Sequence, residues 1–303
     1  MEKLLIPEGY VSGLDILETE QAIKELRVFF EEGLAKALNL QRASAPLFVS
    51  DDSGLNDHLN NIERPVSFDR LEQKNKAYEI VQSLAKWKSY ALGRYNVTAG
   101  KGIYTNMNAI RRDEITDNIH SIYVDQWDWE KVILKCERNM DTLKSTVDGI
   151  YGVIKGAEDY VCSKYGYIES ILPESIHFVT TQEMEDTYPK LTPQERETEY
   201  ARKYKAVFIA KIGGKLKSGQ IHDGRAADYD DWSLNGDIVL YYPLFDMAFE
   251  ISSMGVRVDE NTLISQLRER NRLHMLEMQF QRAVAGGELP YTIGGGIGQS
   301  RLC

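Results

Sequence analysis

Four glycines crowd the stretch Leu289-Pro-Tyr-Thr-Ile-Gly-Gly-Gly-Ile-Gly-Gln-Ser-Arg-Leu302, at Gly294, Gly295, Gly296 and Gly298. The isoleucines between and before them give the run the pattern of a strand whose side chains have been removed, so a flat ligand can lie directly on its backbone. Arg301 follows at once, where a helix would start. No Gly-Lys-Ser/Thr follows the glycines, which excludes a Walker A loop. A dinucleotide-binding fingerprint fits poorly, because a helix ending near Gly286 precedes the run and no strand–helix–strand unit surrounds it. A glycine-rich turn is the plain alternative, and the rest of the chain must decide.

The 303 residues carry 46 acidic and 36 basic side chains, a net charge of -10. That balance offers no general basic surface to nucleic acid. Cys136, Cys162 and Cys303 are odd in number and far apart, with no Cys-x-x-Cys pair. Neither a disulfide framework nor a zinc site is suggested, and a reducing cytoplasm fits. The N-terminus lacks a basic-then-apolar signal and no apolar run is long enough to span a bilayer. The composition, 43% hydrophobic, supports a large core, and no linker divides the chain, so one domain over residues 1–303 is expected.

Residues 18–39 have Ile23, Leu26, Phe30, Leu34 and Leu38 at helical spacing, an apolar stripe suited to core packing. A short strand over 43–50 follows, with Pro46 near its start. Residues 55–64 read as polar loop and 78–92 as helix, with a strand entering Trp87 as the alternative. Residues 100–108 begin with turn chemistry. Residues 109–133 read as strand, polar loop, strand. In the second arm Ile122, Val124, Gln126 and Asp128 alternate with Tyr123, Asp125, Trp127 and Trp129, giving one aromatic face and one that ends in a polar cleft. A long helix is expected over 141–165, a strand over 176–181 and one charged surface helix over 182–204. Gly213-Gly214 and Ser218-Gly219 suggest a hairpin between 206–212 and the residues from 220 onward. Asn235-Gly236 suggests a tight turn, ahead of strands over 237–244 and 249–258 and a single helix over 262–285. Strands joined by tight turns outnumber crossovers, which predicts an α+β fold: a mostly antiparallel sheet flanked by helices.

Two sets of side chains could carry chemistry. Arg111, Asp237, Glu250 and Arg301 lie on or beside predicted strands. Two guanidinium forks suit phosphate oxygens and two carboxylates suit Mg²⁺, a combination fit for ATP. The alternative is a set of surface ion pairs. Lys88, Gln126, Asp128 and Arg257, with Asp57 as an outlier, mix signs as a zwitterion requires. Their alternative is an exposed strand face. Covalent catalysis has little support, since no Gly-x-Ser-x-Gly elbow exists and the cysteines lack a histidine partner.

Three segments then appear in the order of the class II aminoacyl-tRNA synthetase motifs. Residues 18–50 with Pro46 resemble motif 1. Arg111-Arg112-Asp113 through His120-Ser-Ile-Tyr123 resembles motif 2, and Gly294 to Arg301 resembles motif 3. A closer resemblance, over nearly the whole chain, is to the ammonia-dependent asparagine synthetases of bacteria, the aspartate–ammonia ligases. It rests on Ser83-Leu-Ala-Lys-Trp-Lys88, Tyr123-Val-Asp-Gln-Trp-Asp-Trp-Glu130, Leu234-Asn-Gly-Asp-Ile238, Phe249-Glu-Ile-Ser-Ser-Met-Gly-Val-Arg-Val258 and Thr292-Ile-Gly-Gly-Gly-Ile-Gly-Gln-Ser-Arg-Leu302.

The resemblance implies ATP, L-aspartate and ammonia giving asparagine, AMP and pyrophosphate, in a homodimer built through the motif 1 region, with no nucleic-acid or membrane partner. It implies that Arg111 clamps the α-phosphate and the activated carboxylate, and that Arg301 covers the adenine and reaches the triphosphate. Glu250 and Asp237 would hold Mg²⁺. His120, Ser121 and Ile251 would offer backbone to adenosine beside Gly296, with Asp231 as a weaker member. Asp57, Lys88, Gln126, Asp128 and Arg257 would line the amino-acid pocket, with Ser83 and Ser252 nearby. Because the β-carboxylate must be activated, aspartate is expected to sit with its α-carboxylate on Arg257 and Lys88, and Asp57 is expected to bind and deprotonate ammonium. Ser300 replaces the aspartate common before the motif 3 arginine of the tRNA enzymes. The family continues past the position of Cys303 through a helix expected to buttress Arg301. A tRNA synthetase and a non-catalytic sensor of ATP or an amino acid are the other readings. Against the first, only about 17 residues precede the motif 1 helix, too few for an anticodon-binding domain; against the second, Arg111, Glu250 and Arg301 are all retained.

Overall fold

The computed structural model describes residues 4–57, 59 and 63–303. Its elements are α1 (Ile16–Leu38), β1 (Leu40–Arg42), β2 (Phe48–Ser50), β3 (Ser67–Arg70), β4 (Gln73–Ile80), α2 (Ala85–Arg94), β5 (Gly102–Ile110), β6 (Tyr123–Val132), α3 (Met140–Lys164), β7 (His177–Thr180), α4 (Thr181–Thr187), α5 (Pro193–Tyr204), β8 (Ala206–Ala210), β9 (Asp230–Tyr242), β10 (Met247–Arg257), α6 (Glu260–Glu269), α7 (Gln279–Ala285), β11 (Thr292–Gly298) and α8 (Gln299–Leu302). Eight strands form one sheet in the order β1-β5-β6-β11-β10-β9-β8-β7, and β2, β4 and β3 form a small second sheet. In the large sheet only β1–β5 and β7–β8 run parallel. The fold is thus the α+β arrangement expected, a mostly antiparallel sheet between helices.

Local chemistry sets the helices. Asp15 and Glu18 form a capping box at the start of α1, and Asn39 takes the left-handed conformation, φ 59°, that ends it. The α1 stripe Leu26, Phe30, Leu34 and Leu38 packs with Leu143, Val147, Ile150 and Ile154 of α3 against Trp127, Trp129, Ile293, Ile297, Met254 and Ile238 of the sheet. This is the main core, and the alternation read from β6 places both tryptophans in it, fully buried.

The opposite face is covered only at its ends. Helices α4 and α5 pack Met184, Tyr200 and Ala201 on Val207, Ile209 and Val239 at one end. Helix α2 lies on β5 and β6 at the other, where Leu92 meets Ile103 and Val132. Between them β6, β11, β10 and β9 expose a polar strip, because register sets Gln126, Asp128, Glu130, Gly294, Gly296, Gly298, Ser253 and Asp237 on one side.

Several expected boundaries move for reasons that span the sequence. Gly213-Gly214 does not turn a hairpin between 206–212 and the residues after 220. β8 instead pairs with β9 and β7, and only an isolated bridge joins Lys215 to Ile221. Asn235-Gly236 is not a turn but lies inside β9. The Asn235 side chain bonds the Ile212 backbone at both its N–H and its carbonyl, and Gly236 leaves room for the Phe208 ring. The helix expected over 182–204 is two, split at 188–192 because Thr192 caps and Pro193 opens a new helix. The helix expected over 262–285 breaks at Asn271, φ 57°, into α6, a short 3₁₀ turn and α7. Residues 78–92 contain the end of β4 and then α2. The first arm of the strand–loop–strand unit is β5, so Arg111 stands just past its end rather than within it.

Candidate active site

The glycines of β11 form the floor of the polar strip, but its surface is partly furnished by the protein itself. A Cβ at Gly294 would overlap Arg257 and Glu130, one at Gly296 would overlap the Gln126 carboxamide, and one at Gly298 would press on the stem of Arg301. The bare backbone is what lets these four polar side chains lie against the sheet. The adenine-bearing surface expected over these glycines is therefore restricted to the half-buried Gly296 and its surroundings. Gly296→Ala is expected to push Gln126 off the floor and weaken aspartate binding about tenfold, and to weaken ATP as well, because the added methyl group stands on the same adenine surface; titration of each substrate measures both.

Beyond Gln126 lies a buried ionic network. Lys88, from α2, donates to the Asp128 carboxylate and to the carbonyls of Trp129 (3.0 Å) and Gly295 (3.1 Å). Burial lowers the Lys88 ammonium and raises the Asp128 carboxyl, while each pulls the other back toward its charged form. Arg257 donates from Nε (3.1 Å) and Nη2 (3.0 Å) to Glu130 and from Nη1 to Asp230, beneath the Tyr229 ring at 5.5 Å. Glu130 also accepts from the hydroxyls of Ser89 and Thr292. Charges at this depth must be neutralised within the protein. The expected grip of Arg257 and Lys88 on a substrate carboxylate therefore requires an exchange of one of these bonds. Glu130 and Asp230 are residues the sequence reading missed. The signal for Glu130 was available in the strand alternation that picked out Gln126 and Asp128, two residues further along; Asp230, on β9, is brought to Arg257 only by strand register.

Ser83 stands half-buried at the start of α2, its hydroxyl accepting from the Ala85 N–H. Ser252 is placed elsewhere than expected. A bulge at Ile251 turns both Ile251 and Ser252 toward the core, opposite Ile297 and Ile238, so Ser252 faces away from Gln126. Its Oγ is buried without a hydrogen-bond partner. Ile251 can offer only backbone to a ligand. Asp231 also leaves the site: one step along β9 from Asp230, it points the other way and binds Arg138 and Ser233.

At the outer end of the strip the motif 3 arginine joins three elements. Arg301 donates to the carbonyls of Glu250 (2.7 Å) and Ile119 (3.4 Å), and its guanidinium stands 5.6 Å from the centre of the Phe249 ring. The Glu250 carboxylate lies 3.9 Å from it and is half-exposed. Ile119 belongs to the 111–122 loop, so His120 and Ser121 stand beside Arg301. Asp117 accepts from the backbone N–H of His120 and faces its ring. At the base of this loop Arg64 donates three bonds to Asp113, holding that carboxyl down at about 2. Among the described residues Arg111 has no such partner. Its Nε is buried and unpaired.

Asp57 sits on the same side, 1% exposed, with Oδ1 accepting from the Leu59 N–H and Oδ2 unpaired. Burial pushes its carboxyl up, while Lys86, the Tyr229 hydroxyl and Arg111 act in the opposite sense. Lys86 itself bonds Asp228 at 2.8 Å, and Gln281 bonds the same oxygen at 2.7 Å. Asp57 is therefore an outlier in sequence only: in space it lies within reach of the charges of Lys86, Asp228 and Arg111.

Asp237 shares the strip with Glu250. Burial pushes its carboxyl to about 8; the positive charge of Arg225 pulls down, and that of Glu250 pushes up. Among the described residues no group of three or more His, Cys, Asp or Glu side chains converges as a metal cluster. Two hard carboxylates, one half-exposed, instead suit Mg²⁺, which keeps most of its ligands as water and substrate phosphate. The residues fit a cation delivered with a nucleotide.

The family model for aspartate-ammonia ligase matches residues 17–303. The aspartate–ammonia ligase of Clostridium perfringens is 61% identical over 303 residues, covering all of this chain and 90% of that protein. The same-named proteins of Ruminiclostridium cellulolyticum and Fusobacterium nucleatum are each 57% identical over 100% and 97% of this chain, and 90% of theirs. Among solved structures, the asparaginyl-tRNA synthetase of Pyrococcus horikoshii bound to asparaginyl-adenylate superposes with a TM-score of 0.65 at 11% identity, over 93% of this chain and 64% of that one. A putative aspartyl-tRNA synthetase of Leishmania major gives 0.62 at 13% identity, over 93% of this chain and 61% of that one. Those two likenesses concern the fold, of which this chain spans less than two thirds of their length. With a class II synthetase-like sheet and sequence identity of this extent over its full length, the chain belongs to the aspartate–ammonia ligase family.

Proposed function

We propose that the protein joins ammonia to the side-chain carboxylate of L-aspartate at the expense of ATP, releasing asparagine, AMP and pyrophosphate through a β-aspartyl adenylate. The observation that carries this reading is that Arg111, with its Nε unpaired, and Asp57, with its Oδ2 unpaired, lie near a strip that also holds Gln126, Glu250 and Arg301. Arg111 meets the α-phosphate and the carboxylate that attacks it, and Arg301 orders the nucleotide against Phe249 and the 111–122 loop. Glu250 and Asp237 would hold Mg²⁺, which supplies charge neutralisation at the phosphates. The β-carboxylate oxygen bonds to the α-phosphorus as the bond to pyrophosphate breaks, so positioning and charge do the catalysis. Ammonia then forms the C–N bond and AMP leaves.

Ammonium must first lose a proton. The unpaired Oδ2 of Asp57 is placed to accept it, and burial favours the protonated product. Aspartate sits with its ammonium toward Asp128 and its α-carboxylate toward Arg257 and Lys88, exchanging a bond of the internal network. A ligand-bound structure with the β-carboxylate on Arg257 would reverse that orientation. The reading also takes the enzyme as a homodimer, for which the exposed Ile16, Leu17, Val28, Leu47 and Phe48 offer an apolar surface around the motif 1 region.

The test is AMP release from ATP and aspartate with ammonium, glutamine or tRNA added in turn. Acceleration by ammonium with asparagine accumulating supports the reading, and dependence on tRNA rejects it. Asp57→Asn is expected to lower asparagine formation by roughly 10²–10⁴-fold while aspartate-dependent exchange of pyrophosphate into ATP persists; equal loss of both removes Asp57 from the proton step. The same variant has a stability signature. The folded pKa of Asp57 lies above its reference value of 3.8, so the ionised group costs stability. That cost is absent below 3.8 and grows as pH rises through the folded value. Asp57→Asn should therefore gain melting temperature on the parent protein between pH 4 and neutrality, and not below.

A further inference from the structure

Arg225 reaches the polar strip from residues 211–229, the connection between β8 and β9. Its flanks are fixed. His222 Nε2 lies 2.9 Å from Glu197 on α5, Trp232 Nε1 donates to the Ala226 carbonyl at 3.1 Å, and Gln266 donates to the Ala227 carbonyl at 3.1 Å. The end of the side chain is thus the part left to choose its partner. It donates from Nη2 to Asp237 Oδ1, while Nε is buried with no partner. The negative charges acting on it come from Asp237, Asp230 and Glu250. A guanidinium therefore stands on one of the two carboxylates assigned above to Mg²⁺ and feels the charge of the other, with its Nε donor unused.

A divalent cation and a guanidinium compete for the same carboxylate oxygens. Once Mg²⁺ arrives with a nucleotide, the displaced fork is left buried and needs an anion. The nearest new one is the phosphate chain that the metal brings, and planar donors match its oxygens. We propose that Arg225 is the resident counter-ion of Asp237 in the nucleotide-free enzyme and a phosphate-binding residue in the nucleotide complex, where it meets charge on the departing pyrophosphate. This rests on the reading that Glu250 and Asp237 take the metal of Mg·ATP.

The experiment is isothermal titration of the full-length protein, without aspartate, with Mg²⁺ alone and with Mg·ATP. For Arg225→Gln the two affinities should move in opposite directions: about tenfold tighter for Mg²⁺ alone, because the competitor is gone, and about tenfold weaker for Mg·ATP, the change expected for one charge-assisted contact. A purely structural residue would weaken both or neither, and either result overturns the proposal. Glu250→Gln separates the two layers. If it leaves Mg·ATP binding intact, the metal assignment fails and the role of Arg225 with it. If it weakens Mg·ATP and Arg225→Gln binds like the parent, only the role of Arg225 fails. Should Arg225→Gln not fold by circular dichroism, Arg225→Lys decides: it keeps the charge on Asp237, so Mg²⁺ alone should bind as before and Mg·ATP severalfold more weakly, and unchanged Mg·ATP affinity overturns the proposal.

Discussion

Arg111→Ala is expected to slow aspartate-dependent AMP formation by about three orders of magnitude and to leave the melting temperature almost unchanged. The two halves of that expectation come from the same observation. Most arginines of this protein are committed to carboxylates: Arg64 to Asp113, Arg138 to Asp231 and Asp259, Arg202 to Asp246, Arg257 to Glu130 and Asp230. Arg111 forms no ion pair among the described residues, and its Nε is buried and unsatisfied. Removing it breaks no internal pair, so stability has little to lose. Catalysis has much to lose, because charge developing on the α-phosphoryl group in the transition state would face no guanidinium there. Arg111→Lys should recover little, since a point charge cannot make the paired bonds of a planar fork. Steady-state AMP release beside a thermal melt checks both halves. Activity within tenfold of the parent would remove Arg111 from the reacting phosphate and with it the central claim of the mechanism.

What the sequence disclosed was whatever obeys a short period. The stripe of α1, the alternation that buries Trp127 and Trp129, and the glycines of β11 each follow from spacing within one element, and each lies where that spacing puts it. The sheet class followed from the same grammar. Turn chemistry was less reliable, because a residue pair reads the same whether it turns the chain or makes room for a neighbour. Asn235-Gly236 is the example: Asn235 satisfies the Ile212 backbone and Gly236 admits Phe208, partners more than twenty residues away. The site was legible in its members but not in their bonds. Nothing local showed that Lys88 is spent on Asp128, that Ser252 turns inward at a bulge, or that Asp231 belongs to Arg138. The Lys86–Asp228 pair carried no local signal, since its members lie 142 residues apart, and Arg225 carried none because the connection before β9 has no period that points it at Asp237. A resemblance in wording pointed to Arg257, but only register across three strands explains why it is rigid.

That rigidity has a measurable cost when its source is removed. Glu130 is 0% exposed and accepts from Arg257 twice and from the hydroxyls of Ser89 and Thr292. It ties α2, β6, β10 and β11 at the closed end of the strip. Glu130→Ala leaves Arg257 with Asp230 alone and strips two buried hydroxyls of their acceptor. Breaking a buried pair from one side costs about 3–5 kcal/mol, and a chain of this size should then melt roughly 10 °C lower. Glu130→Gln keeps one acceptor oxygen, enough for the two hydroxyls but not for Arg257 as well, so its loss should be smaller than that of the alanine variant. The two variants together separate charge from connectivity. Aspartate affinity should fall in both, because Arg257 no longer rests over Gly294, while the affinity for Mg·ATP, bound at the other end of the strip, should hold. If instead Glu130→Ala melts with the parent protein, the buried network does not brace the pocket, and the placement of Arg257 must come from the backbone of β10 alone.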